Sequence, residues 1–469
     1  MRGERRLHPR DGQSPVARAR AGVTLYGKMV TSPRGGDMAS IKLAYIGGGS
    51  TRAPGTMASF IHQGENFNGS EVVLVDLNAE HLEIVRKIAE KMARNRGLDI
   101  RVSATTDRRA ALVDCDAVLT SFRPGGFEAR YIDESVPLKH GVIGQETQGP
   151  GGFFMALRTI HVMQGIVRDM EELCPNAWLI NYTNPINIVS EAVTHHSEIR
   201  TVSLCEGPII FPRHVAEVAG LDPDKVDATM IGLNHGCWSI KHLYDGQDMI
   251  PLLQEAYERM KDDPSADVHG LRWLKLAALM ESIPASYFQY YYFKDEVLEE
   301  LRNKPTTRAQ DIMSWVPDYW QHYREQAEAE DPQLDPSRSR GGIHELELAI
   351  DVMDAIFNQK DEVWPVNVPN HGAIADFPDD RVVEVPGRVS GEGIQPIPQG
   401  SLPRHVSGLV KMLGEYQALA AEAAWCGTRK DAIRALASNP LCFSLEKAER
   451  IYDEMAAALR DYLPERLLR

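Results

Sequence analysis

Ile41-Lys42-Leu43-Ala44-Tyr45-Ile46-Gly47-Gly48-Gly49-Ser50-Thr51-Arg52 is where patterned sequence begins. Its first six residues are apolar enough for a buried strand, and a helical pattern starts at about Ala53. Between them, three glycines and a serine form a turn whose backbone N–H groups can approach a pyrophosphate at a helix N-terminus. The full dinucleotide fingerprint has a further glycine where Arg52 stands, so this turn alone is a weak signal. A second strand, Glu71-Val72-Val73-Leu74-Val75-Asp76, strengthens it. An acid at that point takes the ribose hydroxyls of NAD and repels the extra phosphate of NADP; a helix N-cap is the plain alternative for Asp76. Together the two strands predict a Rossmann-type domain.

Upstream, residues 1 to about 38 are rich in Arg, Gly, Pro and Ser and lack hydrophobic periodicity. They carry no apolar h-region, and the expectation is a disordered extension over residues 1–40, with Met38 a plausible start. At 469 residues the chain is long enough for two domains. Its net charge of -15 argues against nucleic acid or an anionic membrane as partner, because phosphate binding needs a basic face. No uninterrupted apolar run is long enough to span a bilayer. The six cysteines form no Cys-x-x-Cys pair, which suits a reducing compartment, and cytoplasm is the expectation.

Downstream, Asp116 to Phe122 reads as a strand, followed by Arg123-Pro124-Gly125-Gly126. Gly144 to Gly152 reads as a long glycine-rich loop, and a helix with Met155, Leu157, Ile160 and Met163 follows. The strand Ala177 to Ile180 runs into Asn181-Tyr182-Thr183-Asn184-Pro185, where asparagines serve either turn backbones or a ligand. Val202-Ser203-Leu204-Cys205-Glu206-Gly207-Pro208 ends an apolar run in a thiol and a carboxylate. Cysteine is a soft, ionisable ligand and glutamate a candidate proton donor, at the end of a strand where open α/β sheets place ligands. A buried cysteine before an ordinary turn is the bland alternative. A further strand, Ala228 to Asn234, leads to His235, as a second ligand on an adjacent strand would lie. From about Pro251 the chain is mainly helical and includes the aromatic cluster Ser286 to Tyr292. Residues 362–400 return to short strands, and two or three amphipathic helices close the chain.

These segments resemble glycoside hydrolase family 4, the NAD- and divalent-metal-dependent glycosidases. The matching stretches are IGGGSTR, RPGG with the following Asp133-Glu134 pair, VPLKHGVIGQETQGPGG, ALRT, NYTNP, LCEGP, GLNHG, SYFQYYY, TTRAQDIM, VNVPNHGAI and VVEVPGRV. They run in family order from residue 41 to near the C-terminus, and the likeness is greatest to the branch that cleaves 6-phosphorylated glucosides. The resemblance implies that Cys205 and His235 hold a divalent cation, commonly Mn2+. It makes Tyr287 the base and Asn184 and Glu146 substrate contacts. Gly47, Gly49 and Ser50 match the NAD loop, and Asp76 the ribose ligand. Arg123 and Arg308 lie where the phospho-branch binds phosphate, and Asp311 where it would orient the base.

The implied chemistry explains these residue types. Oxidation at C3 of the sugar by NAD acidifies the proton on C2, which a tyrosinate removes while the metal stabilises the enediolate. The glycosidic oxygen then leaves, water adds, and the hydride returns, so this is an exception to the two-carboxylate scheme. In the family, Cys-Asn-Val-Pro goes with phospho-β-glucosides and Cys-Asp-Met-Pro with phospho-α-glucosides. Cys205-Glu206-Gly207-Pro208 matches neither, and Glu206 reads as general acid or as a sugar-hydroxyl contact. An unphosphorylated or acidic sugar such as a uronide stays open, since arginine suits phosphate and carboxylate equally. A plain NAD dehydrogenase and a non-catalytic nucleotide sensor are the competing classes. The resulting expectation is an α/β fold of lactate/malate dehydrogenase type. A Rossmann domain spans 41–205 and a larger α+β domain spans 206–469, and the chain assembles as a homodimer or homotetramer.

Overall fold

A computed structural model describes Tyr26, residues 38–340 and residues 347–469. The expected extension over residues 1–40 therefore falls almost wholly outside the described residues. Folded sequence starts where the apolar pattern does. Strand β1 (Lys42–Ile46) pairs in parallel with β2 (Glu71–Val75) on one side and β4 (Ala117–Thr120) on the other. β3 (Arg101–Thr105), β5 (Trp178–Asn181) and β6 (Arg200–Ser203) complete six parallel strands in the order β3-β2-β1-β4-β5-β6. This is the doubly wound dinucleotide-binding order, whose ligand crevice opens between β1 and β4.

The strand residues alternate between two cores. Ala44 and Ile46 of β1 join one hydrophobic cluster, while Leu43 and Tyr45 join the other. That alternation is what a strand covered on both faces requires.

The sheet continues past β6. β10 (Glu362–Pro369) and β11 (Val382–Ser390) pair antiparallel, as do β7 (Val226–Leu233) and β8 (Gly236–Tyr244). β9 (Gln247–Asp248) and β12 (Gly393–Pro396) flank them. The junctions are narrow. β6 meets β10 through the one pair Ser203 and Asn367, and β11 meets β7 through the one pair Glu384 and Gly232. The tail forms three helices, Arg404–Trp425, Arg429–Ser438 and Leu445–Ala458, all of which contribute to the first core.

One expectation needs correcting. The glycine-rich stretch is a loop only in its first half, because the long helix Gly149–Leu173 already starts at Gly149. Its glycines are there for close packing. A Cβ on Gly151 would lie 2.2 Å from the Gln145 carbonyl oxygen and 2.6 Å from that of Asp133. The helix therefore abuts neighbouring backbone where any side chain would collide.

Candidate active site

At the end of β1, Gly47 has φ +98°, and a Cβ there would fall 2.1 Å from the Ser121 carbonyl oxygen at the end of β4. Only glycine fits this crossing. The N–H groups of Gly47 and Gly48 donate to the Val75 carbonyl at 2.8 and 3.0 Å, tying the turn to β2. Asp76 accepts from the Gly49 N–H at 3.1 Å and from the Leu77 N–H at 2.7 Å. The cap of the following helix, Ala79–Asn95, belongs to Asn78, so the N-cap alternative for Asp76 falls away. The Ser50 hydroxyl is buried with no hydrogen-bond partner among the described residues. An orphaned hydroxyl beside a glycine cradle and a strand-end carboxylate fits a dinucleotide.

Arg52 stands where the fingerprint has glycine for a reason that the sequence did not reveal. Its guanidinium reaches Glu206 at 3.1 Å and the fully buried Glu347 at 3.2 Å, and it lies 4.8 Å over the Tyr182 ring. Glu347 also accepts from the Thr56 hydroxyl at 3.2 Å. One arginine thus ties the nucleotide turn to the residue that follows Cys205.

Cys205 lies just beyond β6, and its sulfur accepts from the Gly207 N–H at 3.4 Å. His235 occupies the two-residue turn between β7 and β8 at φ +59°. Its ring stacks on Tyr287, with centroids 3.7 Å apart and planes 9° from parallel. Its Nδ1 lies 3.1 Å from the Thr147 hydroxyl, which in turn donates to Gln145 Oε1 at 3.0 Å. Gln145 Oε1 also takes the Thr147 and Gln148 N–H groups, which fixes it as an acceptor. Thr147 therefore accepts from Nδ1–H, and Nε2 keeps a free lone pair. Burial holds the imidazole neutral, down to about 4. A bare Nε2 oriented through its other nitrogen fits a borderline divalent cation, and the side chain of the preceding Asn234 reaches the Cys205 thiol.

Tyr287 sits in the short 3-10 turn Ser286–Phe288. Burial pushes its phenol well up, the Cys205 sulfur and the Glu146 carboxylate add to that, and Arg130 opposes it. Glu146 pairs with Arg123 at 2.7 Å and Arg130 at 3.0 Å. Burial works to raise this carboxyl, but Arg123 and Arg130 outweigh it and hold it below its ordinary range. Arg130 also pairs with Glu134 at 2.7 Å. Arg340 joins them: its guanidinium lies 5.3 Å from the Phe127 ring, and that of Arg123 lies 5.8 Å from the same ring. Burial, followed by the charge of Arg123, lowers Arg340 to about 10. Three guanidiniums, Arg123, Arg130 and Arg340, thus face two carboxylates, Glu134 and Glu146, leaving one positive charge over.

Other expected residues sit differently. Arg308 is exposed at the start of the helix Arg308–Glu328, with its guanidinium 4.7 Å over the Trp315 ring, and among the described residues it joins none of these pairs. Asp311 takes the Thr306 hydroxyl at 2.6 Å. Asn184 Oδ1 lies 3.4 Å from the Ile186 N–H, serving its own turn. Sequence reasoning missed Arg52, Arg130, Thr147, Arg340 and Glu347. Arg52 carried a signal as the break in the fingerprint, and Thr147 lay within the GQET stretch.

Comparison with known proteins places this geometry. Residues 42–221 match the family 4 glycosyl hydrolase model, and residues 230–442 match the model of that family's C-terminal domain. A probable 6-phospho-beta-glucosidase of Bacillus subtilis (strain 168) is 39% identical over 437 residues, covering 91% of this chain and 98% of the relative. A maltose-6'-phosphate glucosidase of Fusobacterium mortiferum is 30% identical over 448 residues, covering 91% and 99%. Among solved structures, the 6-phospho-beta glucosidase of Thermotoga maritima with manganese, NAD+ and glucose-6-phosphate aligns with TM-score 0.77 and 27% identity, covering 90% of this chain and 99% of that one. Malate dehydrogenase from Plasmodium falciparum shares the fold at TM-score 0.51 and 11% identity, over 82% of this chain and all of that one.

Proposed function

The chain belongs to the family 4 glycosyl hydrolases, and from that premise we propose that it hydrolyses the O-glycosidic bond of 6-phospho-glucosides with NAD and a divalent cation such as Mn2+. The observation that carries the substrate class is the surplus of guanidinium charge at Arg123, Arg130 and Arg340, beside Tyr287. A neutral sugar gives no reason to hold Arg340, half-buried, next to a like charge, whereas a phosphoryl group would take its donors and those of Arg123.

Gly47, Gly49, Ser50 and Asp76 would hold NAD, and Cys205 with His235 Nε2 would hold the cation. When bound, NAD supplies a reversible oxidant for C3 of the sugar, and the cation supplies a Lewis acid for the neighbouring oxygens. Tyr287 takes the proton from C2. Its stacking on His235 fixes the ring, and Arg130 is the protein cation that favours its phenolate. Glu206, paired with Arg52, is placed as an acceptor for a sugar hydroxyl. The donors of Asn184 Nδ2 and the free edge of Glu146 orient sugar hydroxyls. In this reading, residues 41–205 form the nucleotide domain and 206–469 the substrate domain. Among the described residues no helix is long and apolar enough to cross a membrane. The reading includes a homodimer or homotetramer in the cytoplasm; exposed Phe443 and Leu445 support a self-contact, and sedimentation velocity would check it.

The test is a panel of p-nitrophenyl glycosides, α and β, with and without 6-phosphate, and uronides. Each is run with NAD and Mn2+ and then with either omitted. Nitrophenol release from 6-phospho-glucosides that needs both, without net NADH, is the expected result, and the preferred member names the anomer. Release indifferent to NAD, or steady NADH accumulation without release, would overturn the proposal.

A further inference from the structure

The two narrow junctions of the sheet fall on one line. Ser203 of β6 pairs with Asn367 of β10, Asn367 with Glu384 of β11, and Glu384 with Gly232 of β7. Cys205 lies two residues past one end of this rung, and His235 lies three residues past the other.

Side chains reinforce the rung where backbone pairing is thinnest. Asn367 Nδ2 donates to the Ser203 carbonyl at 3.2 Å and to Glu384 Oε1 at 3.1 Å. Asn234, the residue immediately before His235, donates from Nδ2 to the same Oε1 at 2.8 Å. Asn234, Asn367 and Glu384 are all buried, at 3%, 2% and 1% exposure, among strands otherwise dominated by valine. Burying a carboxyl group and two amides is costly where apolar residues would serve, so this network is justified by what it positions.

We propose that Glu384 and Asn367 are positioning residues for the cation. They fix the β6 end that carries Cys205 against the β7–β8 turn that carries His235, and so set the separation of the two donors. Neither touches the cation; each acts through Ser203 or Asn234. The inference rests on the reading that Cys205 and His235 bind the metal.

The experiment follows Mn2+ binding to the full chain by the loss of the free-ion electron paramagnetic resonance signal, alongside NAD titration and thermal melting. Glu384→Ala is expected to weaken Mn2+ binding roughly 10- to 100-fold while NAD affinity stays within about twofold. Glu384→Gln, which keeps an Oε1 acceptor for both asparagines, should restore Mn2+ affinity to within about threefold of wild type. Asn367→Ser keeps the backbone pair and removes only the side-chain reach; it carries the test if Glu384→Ala does not fold. Unchanged Mn2+ affinity in a folded Glu384→Ala or Asn367→Ser protein would overturn the inference, as would an equal loss of NAD affinity. Failure of the underlying reading looks different: wild type binds no Mn2+, or Cys205→Ser binds it as tightly as wild type.

Discussion

The proposed function puts substrate choice on Arg340. Arg340→Ala should raise KM for a 6-phospho-glucoside about 10- to 100-fold, the value of charge-assisted hydrogen bonds, and leave an unphosphorylated glycoside nearly unchanged. Steady-state kinetics on the matched pair would show it, and an equal rise for both would assign Arg340 to the scaffold. His235 and Glu384 make a second prediction, for the metal-free protein. Burial holds folded His235 at about 4, against about 6.5 unfolded. The unfolded chain thus binds more protons in between, and stability falls as pH drops from about 6.5 to 4, by about 3 kcal/mol. Burial pushes folded Glu384 up to about 7, against 4.5 for the ordinary carboxyl. Here the native state binds more protons, so stability falls by a similar amount as pH rises from about 4.5 to 7. The two slopes oppose each other in wild type and cancel between about 4.5 and 6.5. Glu384→Gln should expose the acid-side loss. His235→Asn, suited to the positive φ, should expose the loss towards neutral pH. Urea denaturation at stepped pH measures both; parallel curves for all three proteins would sink the argument.

At the scale of elements, the strand–turn–helix at residues 41–62 was readable because apolar runs and glycines are local signals. Cys205, His235 and Tyr287 were picked out by short motifs in order, which are local signals too. What stayed hidden depends on partners far along the chain. Nothing near Glu347 in sequence indicates that it meets Arg52, and Arg308 and Arg340 look alike until packing stacks one on Trp315 and sets the other, half-buried, beside Arg123. The glycines at 149–152 looked like a loop because propensity counts them as breakers, yet close backbone contact overrides propensity there. Arg52 joins two of these elements, and its removal leaves the buried Glu347 without its cation. Arg52→Ala should cost about 3 kcal/mol by urea denaturation, with most of it recovered in Arg52→Ala/Glu347→Gln. A loss that the double variant does not recover would mean that packing over Tyr182, rather than charge, was removed.

Across the whole molecule, the net charge of -15 coexists with the surplus positive charge at Arg123, Arg130 and Arg340, so positive potential is concentrated where the proposed anionic substrate would dock. The two main cores each draw residues from both sides of residue 205. The first runs from Ala44 to Leu467, and the second includes Leu43 of β1 and Val389 of β11. Calorimetry should therefore show one unfolding transition, with a calorimetric to van 't Hoff enthalpy ratio of about 1, and NAD should shift all of it upward. Two resolved transitions, with only one moved by NAD, would contradict that. The shared cores also bear on how such proteins recombine. A chimera that takes residues up to 205 from one relative and the remainder from another must match two packed interiors and the Ser203–Asn367–Glu384 line at once. New sugar preferences in this fold are thus more accessible through single side chains at the arginine cluster than through exchange of whole halves.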